Sequence, residues 1–203
     1  MNTVILASGN TGKLREFKNI LLDVGFDVKP QAEYQVPDAE ETGLTFVENA
    51  ILKARNACEH TGLPAISDDS GIEVDAIDGA PGIYSARFAG EGSHREEKDH
   101  ANNLKLLHDL NNTPDEKRTA RYQCVLVFMR HAKDPTPIIA QGAWEGSILR
   151  TPKGENGFGY DPLFWVPTHN CSSAQLDKAE KNRISHRAIA MQALLKQLQK
   201  IRA

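Results

Sequence analysis

The chain has 203 residues, 40% of them hydrophobic and 25% charged, the make-up of an ordinary soluble globular protein long enough to bury a large core. The formal net charge is −3 with Lys and Arg scattered along the chain, which argues against a face built to neutralise nucleic-acid phosphates. Cys58, Cys124 and Cys171 lack zinc-ligand spacing, and the run Val4 to Ala7 is too short for a signal-peptide core or a membrane span, so a reduced, cytoplasmic protein without a membrane partner is expected.

Thr3 to Ala7 is rich in β-branched residues and predicts a buried first strand. From Gly12 the period changes, and Leu14, Phe17, Leu21 and Val24 fall on one helical face. Between strand and helix lies Ser8-Gly9-Asn10-Thr11-Gly12-Lys13. Unsatisfied backbone N–H groups at such a helix start favour an anion, and Lys13 adds a mobile positive charge. The stretch is no P-loop, since two residues rather than four separate its glycines and Leu14 follows the lysine. On shape alone, a turn that simply needs glycines is the plainer reading.

Gly25 to Pro30 reads as a second strand, and Gln31 to Gly43 as a loop carrying Asp38, Glu40 and Glu41, ordinarily a solvated surface. Thr45 is placed to cap a helix in which Phe46, Ala50, Ala54 and Ala57 share a face, and Glu48 completes a capping box. Lys53 on that helix is either exposed or aimed at the acidic loop or at a phosphate. The helix stops near Gly62-Leu63-Pro64.

Ala65 to Ser67 then predicts a strand that delivers Asp68 and Asp69 at its carboxyl end, where open α/β sheets bind ligands. Ser70-Gly71 follows at once, and a second, half-buried strand of Ile72, Val74 and Ala76 comes after it. Successive residues of an extended backbone point to opposite faces. Without a turn, one aspartate therefore faces a ligand while the other braces the loop.

Gly79 to Phe88 is a crossover in which Arg87 either pairs an acid or touches a ligand. His94 to His108 predicts a charged helix with Leu104, Leu107 and His108 or Leu110 toward the core. Tyr122 to Met129 and Pro137 to Leu149 predict a long hairpin, which makes the class mixed α/β rather than a purely parallel sheet. Within Gly154 to Phe164, glycines flank Phe158, whose ring either stacks on a nucleobase or plugs the core, and Asp161 before Pro162 is a turn former. Ser173 begins a short polar helix through Lys178, and Lys181 to Ile184 links it to a last helix capped by Ser185. The buried stripe of that helix is Ile189, Leu194 or Leu195, Leu198 and Ile201. His186 and Arg187 sit in its first turn, where cations oppose the helix dipole and call for an anion or a ligand.

Taken together, adjacent carboxylates, several cationic groups and an open aromatic ring are what binding a nucleoside triphosphate with a divalent cation requires. Carboxylate oxygens suit Mg²⁺, and neither a Cys/His set for zinc nor a G-x-S-x-G nucleophile elbow is present.

Five ordered motifs carry a family likeness from end to end: Ser8-Gly9-Asn10-Thr11-Gly12-Lys13, Ser67-Asp68-Asp69-Ser70-Gly71, Pro81-Gly82-Ile83-Tyr84-Ser85-Ala86-Arg87, Gly157-Phe158-Gly159-Tyr160-Asp161-Pro162 and Ser185-His186-Arg187. In these the chain resembles the inosine triphosphate pyrophosphatase family. The resemblance implies hydrolysis of ITP, dITP and XTP to the monophosphate and pyrophosphate, which keeps deaminated purines out of DNA and RNA. It further implies a single domain over residues 1–203 made of two lobes on a long mixed sheet flanked by helices, a cleft between the lobes, Mg²⁺ as cofactor, and a homodimer.

Carried over by position, the resemblance has Ser8, Gly9, Asn10, Thr11, Gly12 and Lys13 cradling the phosphates, with Lys53 reaching them. Asp69 would be the proton acceptor and a metal ligand beside Asp68, with Glu41 or Glu40 completing the metal site. Ser70 would touch the substrate, and Phe158, Gly159, Tyr160, Asp161, Lys181, His186 and Arg187 would hold the nucleoside. A donor such as Arg187 or a backbone N–H aimed at a 6-oxo group would select hypoxanthine and xanthine over adenine. The stretch Glu91 to His100 is longer and more charged than the family pattern leads one to expect. Readings from other classes are a Mg²⁺-dependent phosphatase that releases orthophosphate and a nucleotide-binding regulatory module without turnover.

Overall fold

The computed structural model describes residues 2–9, 11–22, 25–90 and 94–202, and for residues 11, 12, 15, 16, 19, 201 and 202 the backbone only. The strands are β1 (Asn2–Ala7), β2 (Phe26–Pro30), β3 (Ala65–Val74), β4 (Thr119–Met129), β5 (Ile138–Ile148), β6 (Phe164–Val166) and β7 (Cys171–Ser172). The helices are α1 (Thr11–Leu22), α2 (Phe46–Thr61), α3 (Arg95–Asp109), α4 (Lys178–Ile184) and α5 (His186–Arg202). The strands form one sheet in the order β2-β1-β3-β4-β5-β6-β7. β1 is parallel to β2 and β3, whereas β6 is antiparallel to β5 and β7. This is the mixed α/β architecture that the long hairpin led us to expect.

The chain divides into two compact units: unit 1 takes the chain up to Asp69, Cys124–Gly142 and the chain from Ile189, and unit 2 takes Ser70–Gln123 and Ala143–Ala188. In unit 1 the core brings together Val4 and Leu6 of β1, Phe17 and Leu21 of α1, Leu126 and Phe128 of β4, and Leu194 and Leu198 of α5. In unit 2 it brings together Ile72, Val74, Leu106, Leu110, Leu163 and the aromatic side chains of Tyr122, Trp144 and Phe164. The Tyr122 and Phe164 rings lie 4.6 Å apart.

Local signals place α2 well. Thr45 Oγ1 accepts from Glu48 N at 3.3 Å, Gly62 ends the helix at φ +67°, and Phe46, Ala50, Ala54 and Ala57 are all buried. Four other expectations change. No turn interrupts β3 at Ser70-Gly71, so Asp68 and Asp69 lie within one continuous ten-residue strand. In α3, Leu104 is 55% exposed while Leu106 and Leu110 fill the core. The reason is polar: buried Asn102 accepts from Ala89 N at 2.7 Å and donates to Ser85 O at 3.3 Å, which sets the rotation of the helix. The polar helix expected over residues 173–178 is a turn of 3₁₀ at Ser173–Gln175, and the expected link belongs to α4, capped by Asp177. The stripe of α5 runs through Ala190, Met191, Leu194 and Leu198, leaving Ile189 39% exposed. Val24 lies outside the described residues, and Ile201 is described by its backbone only.

Candidate active site

In unit 1, the end of β1 makes room for the acidic groups. Ala7, its last residue, pairs with Ser67 of β3, so Asp68 and Asp69 extend past it. Successive strand positions alternate in direction, and the two carboxylates take different lysines. Asp68, its side chain fully buried, forms an ion pair with Lys13 of α1. Asp69 lies 2.7 Å from Lys53 Nζ, and the same ammonium reaches Glu41 Oε1 at 3.2 Å. Ser8, Gly9, Lys13, Gln31, Asp38, Glu41, Lys53 and Asp68 are among the residues lining a cavity of about 290 Å³.

One face of α2 holds the acidic loop at three points. Asn49 Oδ1 accepts from Gly43 N at 2.8 Å, Lys53 meets Glu41, and Asn56 Nδ2 donates to Pro37 O at 2.7 Å. Residues so spaced share a helix face. A side chain at Gly43 would crowd this row, because its Cβ would stand 2.5 Å from Glu48 Cβ. Gln31 Nε2 steadies the loop further by donating to Asp38 Oδ1 at 2.7 Å.

Glu41 and Asp69 meet the Lys53 ammonium, and Asp68 meets that of Lys13. Burial pushes the Asp69 pKa up, the Lys53 ammonium pulls it down, and Glu41 and Asp68 push it up again, leaving it raised. Lys53 is raised as well: burial opposes its charge, but Asp69, then Asp68 and Glu41, outweigh that. A cation is favoured here and a bare carboxylate is not.

No three His, Cys, Asp or Glu side chains make a metal shell by themselves among the described residues. Glu41 and Asp69 nonetheless converge on one positive centre. One or two carboxylates, completed by phosphate oxygens and water, are the usual protein share of a Mg²⁺ site. This donor set fits that ion.

Unit 2 places a second group around Asp161. Its buried carboxylate accepts from Phe158 N at 2.8 Å, Ser173 Oγ at 2.9 Å and Tyr122 OH at 3.3 Å, and pairs with Lys181. Gly157 at φ +80° is required by this turn, since a Cβ there would stand 2.1 Å from Asp161 Oδ2. The Phe158 ring is left 50% exposed, with the Arg95 guanidinium 4.4 Å and the Lys181 ammonium 5.2 Å from its centre. Gly159 N donates to Asp99 Oδ2, and Gly159 O accepts from Asn103 Nδ2, each at 2.8 Å. Tyr160 OH donates to Ser85 O at 2.8 Å.

The buried His186 ring stacks on Tyr122 at 4.8 Å, and burial next to the Asp161 carboxylate holds the Tyr122 phenol well above its ordinary pKa. Arg187 Nη2 lies 3.4 Å from Ser70 Oγ. Arg87 stands over the Tyr84 ring at 5.3 Å.

The sequence-predicted residues thus fall into two sets. Ser8, Gly9, Lys13, Glu41, Lys53, Asp68 and Asp69 belong to unit 1, and Ser70, Phe158, Gly159, Tyr160, Asp161, Lys181, His186 and Arg187 to unit 2. Thr11 and Gly12 open α1 and are described by backbone alone, while Asn10 lies outside the described residues. Glu40 is exposed and does not line the cavity, whereas Glu41 does. Asp38, expected only as a solvated loop residue, lines it, as does Gln31, which was not singled out, and Asn49, Asn56, Asp99 and Asn103 hold the two loops. The recurrence of side-chain amides at one-turn spacing around Lys53 and Asp99 was the available signal.

Comparison with known proteins gives the family. The model of the Ham1 family matches residues 4–197. The chain is 56% identical to a dITP/XTP pyrophosphatase of Vibrio cholerae over 202 residues, covering 100% of this chain and 99% of that protein. It is 57% identical to a dITP/XTP pyrophosphatase of Photobacterium profundum, with 96% of each chain covered. The solved structure of a HAM1 protein from Coxiella burnetii superposes with a TM-score of 0.93 at 47% identity, covering 98% of this chain and 100% of the other.

Proposed function

The chain belongs to the Ham1 family, and from that premise we propose that it hydrolyses deaminated purine nucleoside triphosphates, ITP, dITP and XTP, to the monophosphate and pyrophosphate with the help of Mg²⁺. One observation carries this reading: Glu41 and Asp69 converge on Lys53 beside the Lys13–Asp68 pair. Such a set offers positive charge to a polyphosphate and keeps a carboxylate for water.

Asp69 and Glu41 would hold Mg²⁺ with Asp68 beside them, Glu41 rather than Glu40 being the glutamate that lines the cavity, and the bound ion would supply positive charge against the phosphate oxygens. The Lys13 and Lys53 ammonium groups bind the phosphates and offset the negative charge that grows on the leaving pyrophosphate. The Asp69 carboxylate orients the attacking water and takes its proton. The water oxygen bonds to the α-phosphorus, the bond to the bridging oxygen breaks, and pyrophosphate departs with the electron pair.

Phe158, half-exposed on an over-determined loop, serves as a stacking surface for the purine, with Gly159, Tyr160, Asp161, Lys181 and His186 shaping that end. Arg187, near Ser70, supplies a donor to the 6-oxo group that hypoxanthine and xanthine carry and adenine lacks. A homodimer, from the resemblance, and a cytoplasmic location, from the cysteines and the short N-terminal apolar run, are parts of the same proposal. Among the described residues, no helix is long and apolar enough to cross a membrane.

The test is product analysis with ITP, XTP, dGTP and ATP, with Mg²⁺ or with EDTA. ITP and XTP should yield monophosphate and pyrophosphate, ATP should be a poor substrate, and EDTA should stop turnover. Orthophosphate as the product would point to a different phosphatase. No turnover with Mg²⁺ present would point to a binding module.

A further inference from the structure

The charged start of α3 is the part of the sequence that the reading above leaves unused. Arg95, Asp99 and Asn103 follow one another at four-residue spacing and so share one helix face. Each touches a different group of the same dipeptide. Arg95 lies on the ring of Phe158, Asp99 accepts from Gly159 N, and Asn103 donates to Gly159 O. Both polar groups of Gly159 are thereby taken by α3, while Asp161 fixes Phe158 N from the other side. The ring remains 50% exposed, so burial does not account for where it points.

Gly159 itself has φ +61° with nothing within 4 Å of an added Cβ. The residue is needed for its backbone conformation, and that conformation is held from outside by α3. Arg95 is 59% exposed with only a 3.9 Å link to Asp99, which gives the helix little reason of its own to keep a guanidinium there.

We propose that the α3 row of Asp99 and Asn103, with Arg95 on the ring face, positions Phe158 for nucleobase stacking. Asp99 and Asn103 are thus positioning residues for base binding. The inference rests on the nucleotide reading above and adds to it the element that sets the stacking surface.

The test uses the full chain and three readouts: kcat and KM for ITP, the inhibition constant of inorganic tripolyphosphate, which has no base to stack, and the melting temperature. Loss of one hydrogen bond in Asp99→Ala or Asn103→Ala should raise KM for ITP about fivefold with kcat within about twofold. The tripolyphosphate constant should not move. Asp99→Asn keeps an acceptor for Gly159 N–H and should restore KM to near the wild-type value. Arg95→Met, an exposed change that spares both Gly159 bonds, should raise KM about threefold, and it decides the matter if the alanine variants unfold. Unchanged KM values while the wild type hydrolyses ITP would overturn the proposal, as would a parallel rise of KM and the tripolyphosphate constant. A wild type that leaves ITP intact would instead overturn the nucleotide reading, and this inference with it.

Discussion

α2 and α3 do comparable work in the two units, each steadying a loop with a row of three side chains, and they differ in what the middle of the row carries. On α2 the middle member is Lys53, whose ammonium holds Glu41 and Asp69 together. On α3 it is Asp99, which grips a backbone N–H. The acidic loop is therefore positioned by the same charges that a polyphosphate and a cation would engage, while the aromatic loop is positioned by groups that leave its ring free. Under the proposed function the first arrangement would respond to ligand. The second is set in advance.

Changes of charge should consequently damage unit 1 most. Asp69→Asn preserves shape and removes the proposed proton acceptor, and pyrophosphate release should fall on the order of 10²–10⁴-fold with an unaltered circular dichroism spectrum. A variant with normal rates would take Asp69 out of its role. Lys13→Met leaves the buried Asp68 carboxylate without its lysine, at a cost of about 3–5 kcal/mol in urea unfolding. Adding Asp68→Asn to that variant should recover more than half of the loss, because the penalty lies in the uncompensated charge.

Changes of backbone should damage unit 2 instead. Gly157→Ala forces φ +80° on a residue whose Cβ meets Asp161, and about 1–3 kcal/mol of stability should be lost along with affinity for ITP. Gly159→Ala, with open space around its Cβ, should cost less in the same thermal melt. Equal losses at the two glycines would show that contact with Asp161 does not shape the loop.

The smallest effect lies on the surface of α4. Arg183, then His169, hold the Glu180 pKa down to about 2 from its ordinary 4.5. A carboxylate whose pKa is lower in the folded chain adds stability above its unfolded value and loses it as pH falls toward the folded one. The melting-temperature gap between wild type and Glu180→Gln should therefore be present at neutral pH and close between pH 4.5 and about 2. A gap that persists below that interval would mean the glutamate acts by packing.

Where the sequence was legible, the signal was local. Thr45, Glu48 and the alanine-rich face of α2 are close in the chain, and one periodicity contains them. The glycines around Phe158 left two readings, an open ring or a plug of the core, and the structure leaves the ring half-exposed. Signals that depend on distant partners did not show. Ser70-Gly71 reads as a break between two strands, yet β3 runs on, with Ser67 Oγ donating to Ala50 O at 2.5 Å and Ile72 N to Ser85 Oγ at 2.9 Å on either side. Asn102 looks like a surface residue until the backbone groups of residues 85 and 89 are brought to it. Ala190 and Met191 carry the stripe of α5 although Ile189 is the more apolar choice, because the fit to a neighbouring core, rather than hydropathy, sets the rotation. The lysine partners of Asp68 and Asp69 are 55 and 16 residues away, beyond any local pattern.

Unit 1 draws on both the first 69 residues and the chain from Ile189 onward, and this fixes an order of events on the ribosome. Every lysine and carboxylate of the acidic cavity is translated early, but Leu194 and Leu198, which complete the core beneath β1 and α1, are translated at the end. Unit 2, finished by Ala188, has all its parts sooner. A growing chain thus carries the charged groups of the cavity well before it has Leu194 and Leu198, so the proposed hydrolysis is expected only after α5 has been made.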